Sequence, residues 1–358
     1  MYSVYIGSYQ IHRQPGIHHL LLDETSGHLR YVQGVAGIEN PSYLAWSAPH
    51  HRLFSVQESE TDPRIYALYI GGDDSRLAVH CSQSQATSGG LPCYLSTVTS
   101  DGVDALLVAN YAGPTVDWFP LTSDGSMHPY QYHHVHLGKG RYSPRQATAH
   151  PHSIITDPSH RYALVPDLGL DSILVYRISP QSPAPLQFVT KIVGSAGSGP
   201  RLMVFHPWNP YFYVVNELDA SVSVYYYQSD FDRVEQVQQL ASLPLDYNLP
   251  NSAAHIVLGA QAKRLYVSNR GHNSIAVFAV EDHGARLDPL TVVPTQAKIP
   301  RHFTVTPDCS WLIIAGQGAD LLEVMAINDR GIPVPLGYTY AIPRPTCVAV
   351  IDNDHNLG

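Results

Sequence analysis

Residues 200–227, PRLMVFHPWNPYFYVVNELDASVSVYYY, contain the unit that decides the fold. A proline opens a short apolar run, the turn formers HPWN follow, and a second apolar run ends in the polar residue Asn216. A third run, VSVYYY, completes the unit. Short runs of β-branched and aromatic residues that are bounded by turn formers are typical of antiparallel strands. The segment therefore predicts three consecutive strands joined by tight turns.

The unit recurs along the whole chain. Seven prolines open or closely precede equivalent runs: Pro41, Pro92, Pro151, Pro200, Pro250, Pro300 and Pro345. In six repeats the second run ends in a recurring, mainly polar column: Gln57, Asn110, Asp167, Asn216, Asn269 and Gly316. A weaker fourth run follows, and in the fourth repeat we predict that VEQVQQL (234–240) is a strand despite some helical spacing. Four-stranded repeats of about 50 residues are typical of β-propeller blades.

We therefore predict an all-β protein of one domain, a seven-bladed β-propeller over residues 1–358. The seventh repeat ends soon after PTCVAVI, too early to complete a blade. The N-terminal runs YSVYIGS (2–8) and GIHHLLL (16–22) are otherwise unassigned, so we expect them to complete the last blade and close the ring. The alternative, a set of separate β-sandwiches, predicts no register shared by all repeats.

Composition excludes several classes of function. The net charge of −9 argues against nucleic-acid binding, which needs a basic surface. The N-terminus MYSVYIGSYQ lacks the basic region of a signal peptide, and no apolar run approaches the roughly 18 residues of a membrane span. The four cysteines are widely spaced and form no C-x-x-C pair. We expect a cytoplasmic protein without membrane contact, disulfide framework or cofactor, and the sequence leaves its oligomeric state open.

The register of the repeat predicts which side chains meet. The first strand of a blade lines the central channel, and the second runs antiparallel beside it. The start of the first strand and the end of the second therefore lie at the same rim. Residues that follow the opening prolines and the polar column should share one mouth of the channel. From these positions we select His152, Arg201, Glu217, His255, Arg270, Arg301 and His302 as candidate site residues.

These residue types favour an anion site with acid–base chemistry. Guanidinium groups bind carboxylate or phosphate through paired hydrogen bonds. His152 or Glu217 could supply a general base or acid, and the sequence does not decide between them. In the alternative interpretation, the arginines pair with acidic residues of adjacent blades and the histidines cap strands. Because the residues lie at strand ends, we expect their replacement to cost little stability.

The sequence predicts no metal site. The twenty histidines include two H-x-H pairs, at His134 and His136 and at His150 and His152. A zinc site needs at least a third protein ligand, and no spacing in this sequence fixes one. We therefore interpret most of these histidines as solvated loop residues.

Several runs resemble the lactonase family of seven-bladed β-propellers. They include NPSYLA (40–45), VPDLGLDSILVYRI (165–178), GPRLMVFHP (199–207) and YVSNRGHNSIAVF (266–278). The resemblance covers nearly the whole chain. The family contains the cycloisomerase-type 6-phosphogluconolactonases and the 3-carboxymuconate lactonising enzymes. For the muconate branch, the resemblance implies these site residues, which the register also places at the mouth: His152, Glu217, Arg201 and Arg270.

The chain departs from the family pattern at two positions. Leu202 stands where relatives commonly carry a histidine, and relatives often carry an acidic residue near Ala254. The substrate preference could therefore differ from that of the relatives.

The resemblance implies a lactone hydrolase that acts on a small anionic lactone, with 6-phosphogluconolactone as the leading candidate. Arg201 and Arg270 would hold the anionic substrate and stabilise the developing oxyanion. Other mouth residues would extend the substrate-binding surface: Arg145, His255, Arg301 and His302. One alternative is a lactonising enzyme for muconate-type dicarboxylates. Another is a non-catalytic propeller that binds a partner protein, although the chain lacks the WD dipeptides and paired glycines of the common binding propellers.

Overall fold

The computed structural model describes residues 1–10, 13–71, 78–142 and 144–352. Within them, twenty-eight strands form seven antiparallel sheets of four strands each. The sheets are arranged in a ring, because the innermost strand of the last blade contacts the innermost strands of both the sixth and the first. The predicted seven-bladed β-propeller is confirmed.

The strands are numbered along the chain. From blade one to blade seven, the innermost strands are β4 (Leu44–Ser47), β8 (Gly90–Ser100), β12 (Ile155–Thr156), β16 (Pro200–Phe205), β20 (Ser252–Leu258), β24 (Pro300–Val305) and β28 (Pro345–Asp352). The second strands are β5 (Arg52–Gln57), β9 (Val103–Ala112), β13 (Tyr162–Asp167), β17 (Tyr211–Asn216), β21 (Arg264–Arg270), β25 (Trp311–Gly316) and β1 (Tyr2–Ser8).

The outer half of each blade has the same order. The third strands are β6 (Arg64–Gly71), β10 (Thr115–Pro120), β14 (Ser172–Ile178), β18 (Ser221–Tyr227), β22 (Ser274–Glu281), β26 (Leu321–Ile327) and β2 (Ile17–Leu22). The outermost strands are β7 (Ala78–Ala86), β11 (Tyr132–Val135), β15 (Leu186–Val193), β19 (Val234–Ala241), β23 (Arg286–Pro294), β27 (Pro333–Ala341) and β3 (Leu29–Val35). Short 3-10 helices cover Leu168–Leu170, Ala260–Ala262 and Asp282–Gly284.

The N-terminal strands close the ring. In blade seven, β1 lies between β28 and β2, and all seven residues of β1 are buried. At the boundary with blade one, a side chain at Gly7 would overlap the carbonyl oxygen of Pro41, so the close approach of the two blades requires glycine. The predicted closure is confirmed, and β3 supplies an outer strand that the sequence left unassigned.

The core lies between adjacent blades. In β17, five consecutive residues are buried, because both faces of the sheet pack against neighbouring sheets. This explains why the inner strands read as continuous apolar runs rather than as an alternation. The outermost strands are largely exposed, as the burial of β19 shows, and their sequences are correspondingly polar. The run VEQVQQL is therefore an outer strand, as predicted.

The polar column ties the second strand of a blade to its third. In blade four, Asn216 Nδ2 donates to Ser221 Oγ at 2.8 Å and to Ser223 Oγ at 2.9 Å. In blade two, Asn110 Nδ2 donates to Thr115 Oγ1 and to Asp117 Oδ2, both at 2.9 Å. These buried hydrogen bonds fix the end of the second strand, so the residue that follows is held at the channel mouth.

A β-bulge follows the opening proline in several blades. The pairing register shifts between Pro92 and Tyr94, between Pro200 and Leu202 and between Pro300 and His302. The extra residues are Cys93, Arg201 and Arg301. A bulge bends the strand and redirects its side chains, and here the three extra residues line the channel. Within the described ranges, no helix is long and apolar enough to cross a membrane.

Candidate active site

Two adjoining cavities lie at the mouth of the channel. The outer one has a volume of about 250 Å³ and is lined by Tyr9, Glu58, Leu91, Cys93, Tyr111, Arg145, His152, Glu217, Arg270 and Arg301. The inner one, of about 20 Å³, is lined by Ser42, Tyr43, Cys93, Tyr94, His152, Arg201, Leu202, His255, Arg301, His302 and Thr346. Cys93, His152 and Arg301 line both cavities. All eight residues that the sequence selected therefore line this pair of cavities.

Glu217 binds three guanidinium groups. It directly follows β17, and its Oε1 accepts from Arg145 Nη2 at 2.6 Å. Its Oε2 accepts from Arg201 Nε and lies next to Arg270 Nη2, both at 2.9 Å. Arg201 is in the same blade, Arg270 ends the second strand of blade five, and Arg145 comes from the connection between blades two and three. One carboxylate therefore joins three parts of the ring.

This arrangement fixes the charge of Glu217. Burial alone would favour the neutral carboxyl, but the positive charges of Arg270 and Arg201 outweigh it and hold the pKa of Glu217 well below its usual range. Glu217 is therefore an ionised carboxylate with its oxygens occupied by donors. Such a group is a weak base.

His152 has the opposite character. Burial, reinforced by the positive charge of Arg201, holds the pKa of its imidazole well below the usual range, so the ring is neutral at pH 7. The rings of His152 and Tyr111 form a T-shaped contact, with centroids 5.6 Å apart. Cys93 Sγ lies 3.9 Å from His152 Nδ1. A neutral imidazole that lines both cavities can accept a proton from a water molecule there.

A second carboxylate, Glu58, lies in the same cavity. Tyr9 Oη is 2.9 Å from both oxygens of Glu58 and donates to them. Arg301 Nη2 is farther away, 3.9 Å from Glu58 Oε2. The ring of Tyr9 contacts two guanidinium groups, those of Arg301 and Arg344, each 5.3 Å from the ring centroid.

The outer and inner cavities together carry a surplus of positive charge. Four guanidinium groups face two carboxylates there: Arg145, Arg201, Arg270 and Arg301 against Glu58 and Glu217. The surrounding histidines do not add to the charge, because burial, joined by nearby cationic groups, lowers the pKa of His302 to about 3 and that of His255 well below its usual range. Inside a protein of net charge −9, this local surplus favours an anionic ligand.

The sequence placed its residues at one rim, and the structure separates them by depth. Arg145, Glu217 and Arg270 line only the outer cavity. His255 and His302 line the inner one, with ring centroids 3.7 Å apart. His302 directly follows the bulge residue Arg301, and His255 lies in the irregular segment between Ala253 and Ile256. Both histidines line the small inner cavity and not the outer cavity, which is large enough for a ligand.

Five residues that line the outer cavity were not selected from the sequence: Tyr9, Glu58, Leu91, Cys93 and Tyr111. Glu58 directly follows Gln57, the polar-column residue of blade one, so the register that selected Glu217 also identifies it. Tyr9 was missed. It follows Ser8, which occupies the column position of blade seven at the end of β1. Applying the register of the repeat to the N-terminal strand would have selected it.

The two departures from the family pattern lie at the inner cavity. Leu202 lines it and belongs to the apolar core cluster that includes Tyr213 and Val215. Ala254 is fully buried, and its carbonyl oxygen accepts a hydrogen bond from Arg201 Nη1. The contact of Arg201 with this position therefore uses the backbone and needs no acidic side chain.

Among the described residues, no three His, Cys, Asp or Glu side chains are placed to hold a metal ion. The carboxylate and imidazole groups of the mouth lie among guanidinium groups. These are positively charged and do not bind cations. The absence of a metal or cofactor requirement stays a prediction.

Comparison with known proteins agrees with the fold and bears on the activity. The family model of the seven-bladed β-propeller lactonases matches residues 3–350. The 6-phosphogluconolactonase of Bacillus subtilis is 29% identical over 354 residues, which cover 97% of each chain. The periplasmic gluconolactonase of Pseudomonas aeruginosa superposes with a TM-score of 0.90 at 28% identity, covering 98% of this chain and 99% of the other. A protein from Lactobacillus plantarum superposes with a TM-score of 0.89 at 28% identity, covering 98% and 100% of the two chains.

Proposed function

The chain belongs to the lactonase family of seven-bladed β-propellers, and from that premise we propose that it hydrolyses a sugar lactone, 6-phosphogluconolactone, to 6-phosphogluconate. The observation that carries the proposal is the outer cavity, where a neutral imidazole faces a surplus of guanidinium groups. A phosphorylated lactone presents two features that need positive charge, the phosphate and the oxyanion that forms during hydrolysis. The similarity to a 6-phosphogluconolactonase supports this choice of substrate.

In the proposed reaction, His152 acts as the general base. Its neutral ring takes a proton from water as the water oxygen attacks the lactone carbonyl. The carbonyl becomes a tetrahedral oxyanion, the bond to the ring oxygen breaks, and that oxygen receives the proton from the imidazolium. The products are a hydroxyl group and a carboxylic acid, which ionises at neutral pH by releasing its proton to solvent, and His152 returns to its neutral form.

Glu217 acts as an anchor in this mechanism. Its oxygens bind Arg145, Arg201 and Arg270. The carboxylate therefore orients these donors and does not take a proton from the attacking water. Arg201 is nearly inaccessible, since its side chain is only 6% exposed. Arg270 lines the outer cavity and would contact the oxyanion, where such donors contribute most in the transition state. Arg145, with a side chain that is 47% exposed, would bind the phosphate.

The test is a hydrolysis assay corrected for the spontaneous reaction, with 6-phosphogluconolactone, glucono-δ-lactone and a muconolactone as substrates. We expect the highest kcat/KM for the phosphorylated sugar lactone. Arg270→Ala should lower turnover about 10²–10³-fold, and Arg270→Lys should restore part of it. Arg286→Ala is the matched control, because Arg286 also binds carboxylates but lies at the start of the outermost strand β23. Rates no higher than the spontaneous reaction for all three lactones would refute the proposal.

We also propose that the reaction takes place in the cytoplasm. The similarity to a 6-phosphogluconolactonase supports this location. A structural relative is periplasmic, so fractionation of cells that express the untagged protein is the necessary test. Recovery in the periplasmic fraction would refute the location and leave the chemistry unaffected.

A further inference from the structure

We propose that Glu58 and Tyr9 form a hydroxyl-binding subsite that selects polyhydroxylated lactones and rejects dicarboxylates. The inference rests on the proposed function. It concerns recognition of the sugar hydroxyl groups, which the arginines do not explain. It starts from a contrast between the two carboxylates of the outer cavity, Glu217 and Glu58. They carry the same charge but differ in how many of their acceptor positions are occupied.

Glu217 has few hydrogen-bond acceptor positions left for a ligand. Its two oxygens bind three guanidinium groups at 2.6 to 2.9 Å, and its side chain is only 4% exposed. An ionised carboxylate offers about four acceptor positions, and most of those on Glu217 are already taken. A substrate hydroxyl would have to displace a charged donor to reach it.

Glu58 is the less occupied acceptor. Its oxygens share the single O–H of Tyr9, and Arg301 is 3.9 Å away, beyond an ordinary hydrogen bond. Its side chain is 15% exposed and lines the outer cavity. A ligand there meets a carboxylate with free acceptor positions. Sugar hydroxyl groups are donors that fit it, and hydrogen bonds to a charged acceptor are stronger than those between neutral groups.

Tyr9 is a positioning residue in this subsite. Its hydroxyl bridges both carboxylate oxygens, and its ring is in cation–π contact with Arg301 and Arg344. Its backbone N–H also donates to the carbonyl of Arg344 at 3.0 Å. These contacts fix the phenol, and a fixed phenol fixes the direction in which Glu58 faces the cavity. Burial raises the pKa of Tyr9, so the hydroxyl stays a donor at neutral pH.

The cavity therefore has two chemically different regions. Around Glu217, three arginines and the neighbouring His152 suit the anionic and reacting parts of a substrate. Around Glu58, a carboxylate with free acceptor positions suits hydroxyl donors and repels a second negative charge. A phosphorylated sugar lactone matches both regions. A muconate-type lactone has carboxylates and lacks the hydroxyl groups, so Glu58 acts against it.

The test is the replacement Glu58→Gln, which keeps the size of the side chain and removes its charge. We expect kcat/KM for 6-phosphogluconolactone to fall about tenfold or more, mainly through a higher KM. Inhibition by a muconolactone should become stronger in the same variant, because the like charge has been removed. Tyr9→Phe, which keeps the ring, should show a smaller loss on the sugar lactone. Glu60→Gln, an exposed residue two positions along the chain, is the matched control and should change neither value.

The opposite changes for the two ligands are the decisive result, because damage to the fold would weaken both. If Glu58→Gln leaves both values unchanged, or weakens both ligands equally, the subsite is refuted while the hydrolytic function stands. If the unaltered protein hydrolyses no lactone, the proposed function itself has failed. Thermal melts of all variants confirm that they are folded.

Discussion

Arg201 Nε donates to Glu217 Oε2 across 2.9 Å, and both side chains are almost completely buried. The pair joins the bulge at the start of β16 to the residue that follows β17, the two strands whose ends meet at the mouth. Arg201 also donates to the carbonyl of Ala254 in the next blade. The expectation that mouth residues contribute little to stability rests on their position at strand ends. That expectation does not take account of the burial of this pair, and a buried ion pair depends on both partners.

We predict that Glu217→Gln lowers stability as well as activity. The change leaves the buried guanidinium of Arg201 without its counter-charge, and breaking a buried pair from one side typically costs about 3–5 kcal/mol. Chemical denaturation should show the loss. The matched control is Glu235→Gln, which removes an exposed carboxylate paired with Arg233 and should cost less than about 1 kcal/mol. Equal stability of the two variants would show that the mouth tolerates an unpaired guanidinium.

The pH dependence of hydrolysis should report on His152. Because burial and Arg201 hold its pKa well below the usual value, the ring stays neutral and competent as a base as the pH falls through 6.5. We therefore expect kcat/KM to stay constant from pH 8 to pH 6 and to fall only in more acidic solution. Glucono-δ-lactone is the better substrate for this measurement, because it has no phosphate that titrates in the same range.

The variant His152→Ala completes this test. It should lose about 10²–10⁴-fold in turnover across the plateau, as expected when a general base is removed. A decline of the unaltered enzyme centred near pH 6.5 would mean that the imidazole is solvated. Full activity of the variant would assign the base to another group, and Glu217 would then be the first to examine.

The sequence predicted the ring, its closure and the rim where reactive residues meet. It did so because the opening prolines and the polar column set a register that the hydrogen bonds of Asn110 and Asn216 enforce. It could not predict how the mouth is divided. Whether Arg201 faces a ligand or a carboxylate depends on a bulge that shifts the strand by a single residue, and sequence spacing does not show the direction of a bulged side chain.

Acid should weaken blade seven as well as the channel mouth, because both contain buried neutral histidines. His18 and His19 on β2 are buried, and burial lowers the pKa of each to about 4. Because the folded protein keeps both rings neutral, protonation favours the unfolded chain. The free energy of unfolding is therefore unaffected by these groups above about pH 6.5 and decreases as the pH falls towards 4. The loss at pH 5 is roughly 2 kcal/mol for each histidine. Their Nε2 atoms lie within hydrogen-bond distance of Ser8 and Ser3 of β1, so protonation places charge between the two N-terminal strands that complete blade seven.

Thermal melts at pH 7.5 and pH 5 test this prediction. The double replacement His18→Gln and His19→Gln should reduce the difference between the two melting temperatures. His128→Gln is the control, since His128 is exposed and its replacement should leave the difference unchanged. An identical pH dependence in all three proteins would show that other groups determine acid stability.

Removal of residues 1–22 should abolish the closed ring. The truncation takes away β1 and β2, which supply the second and third strands of blade seven, and leaves β28 with an unpaired edge beside blade one. We expect aggregated or strongly destabilised protein by size-exclusion chromatography and thermal melting. Co-expression of residues 1–35 with residues 36–358 as two chains should restore a soluble ring, because the break then falls between β3 and β4 and every strand of blade seven is present. A truncated protein that melts like the full chain would contradict the closure by N-terminal strands.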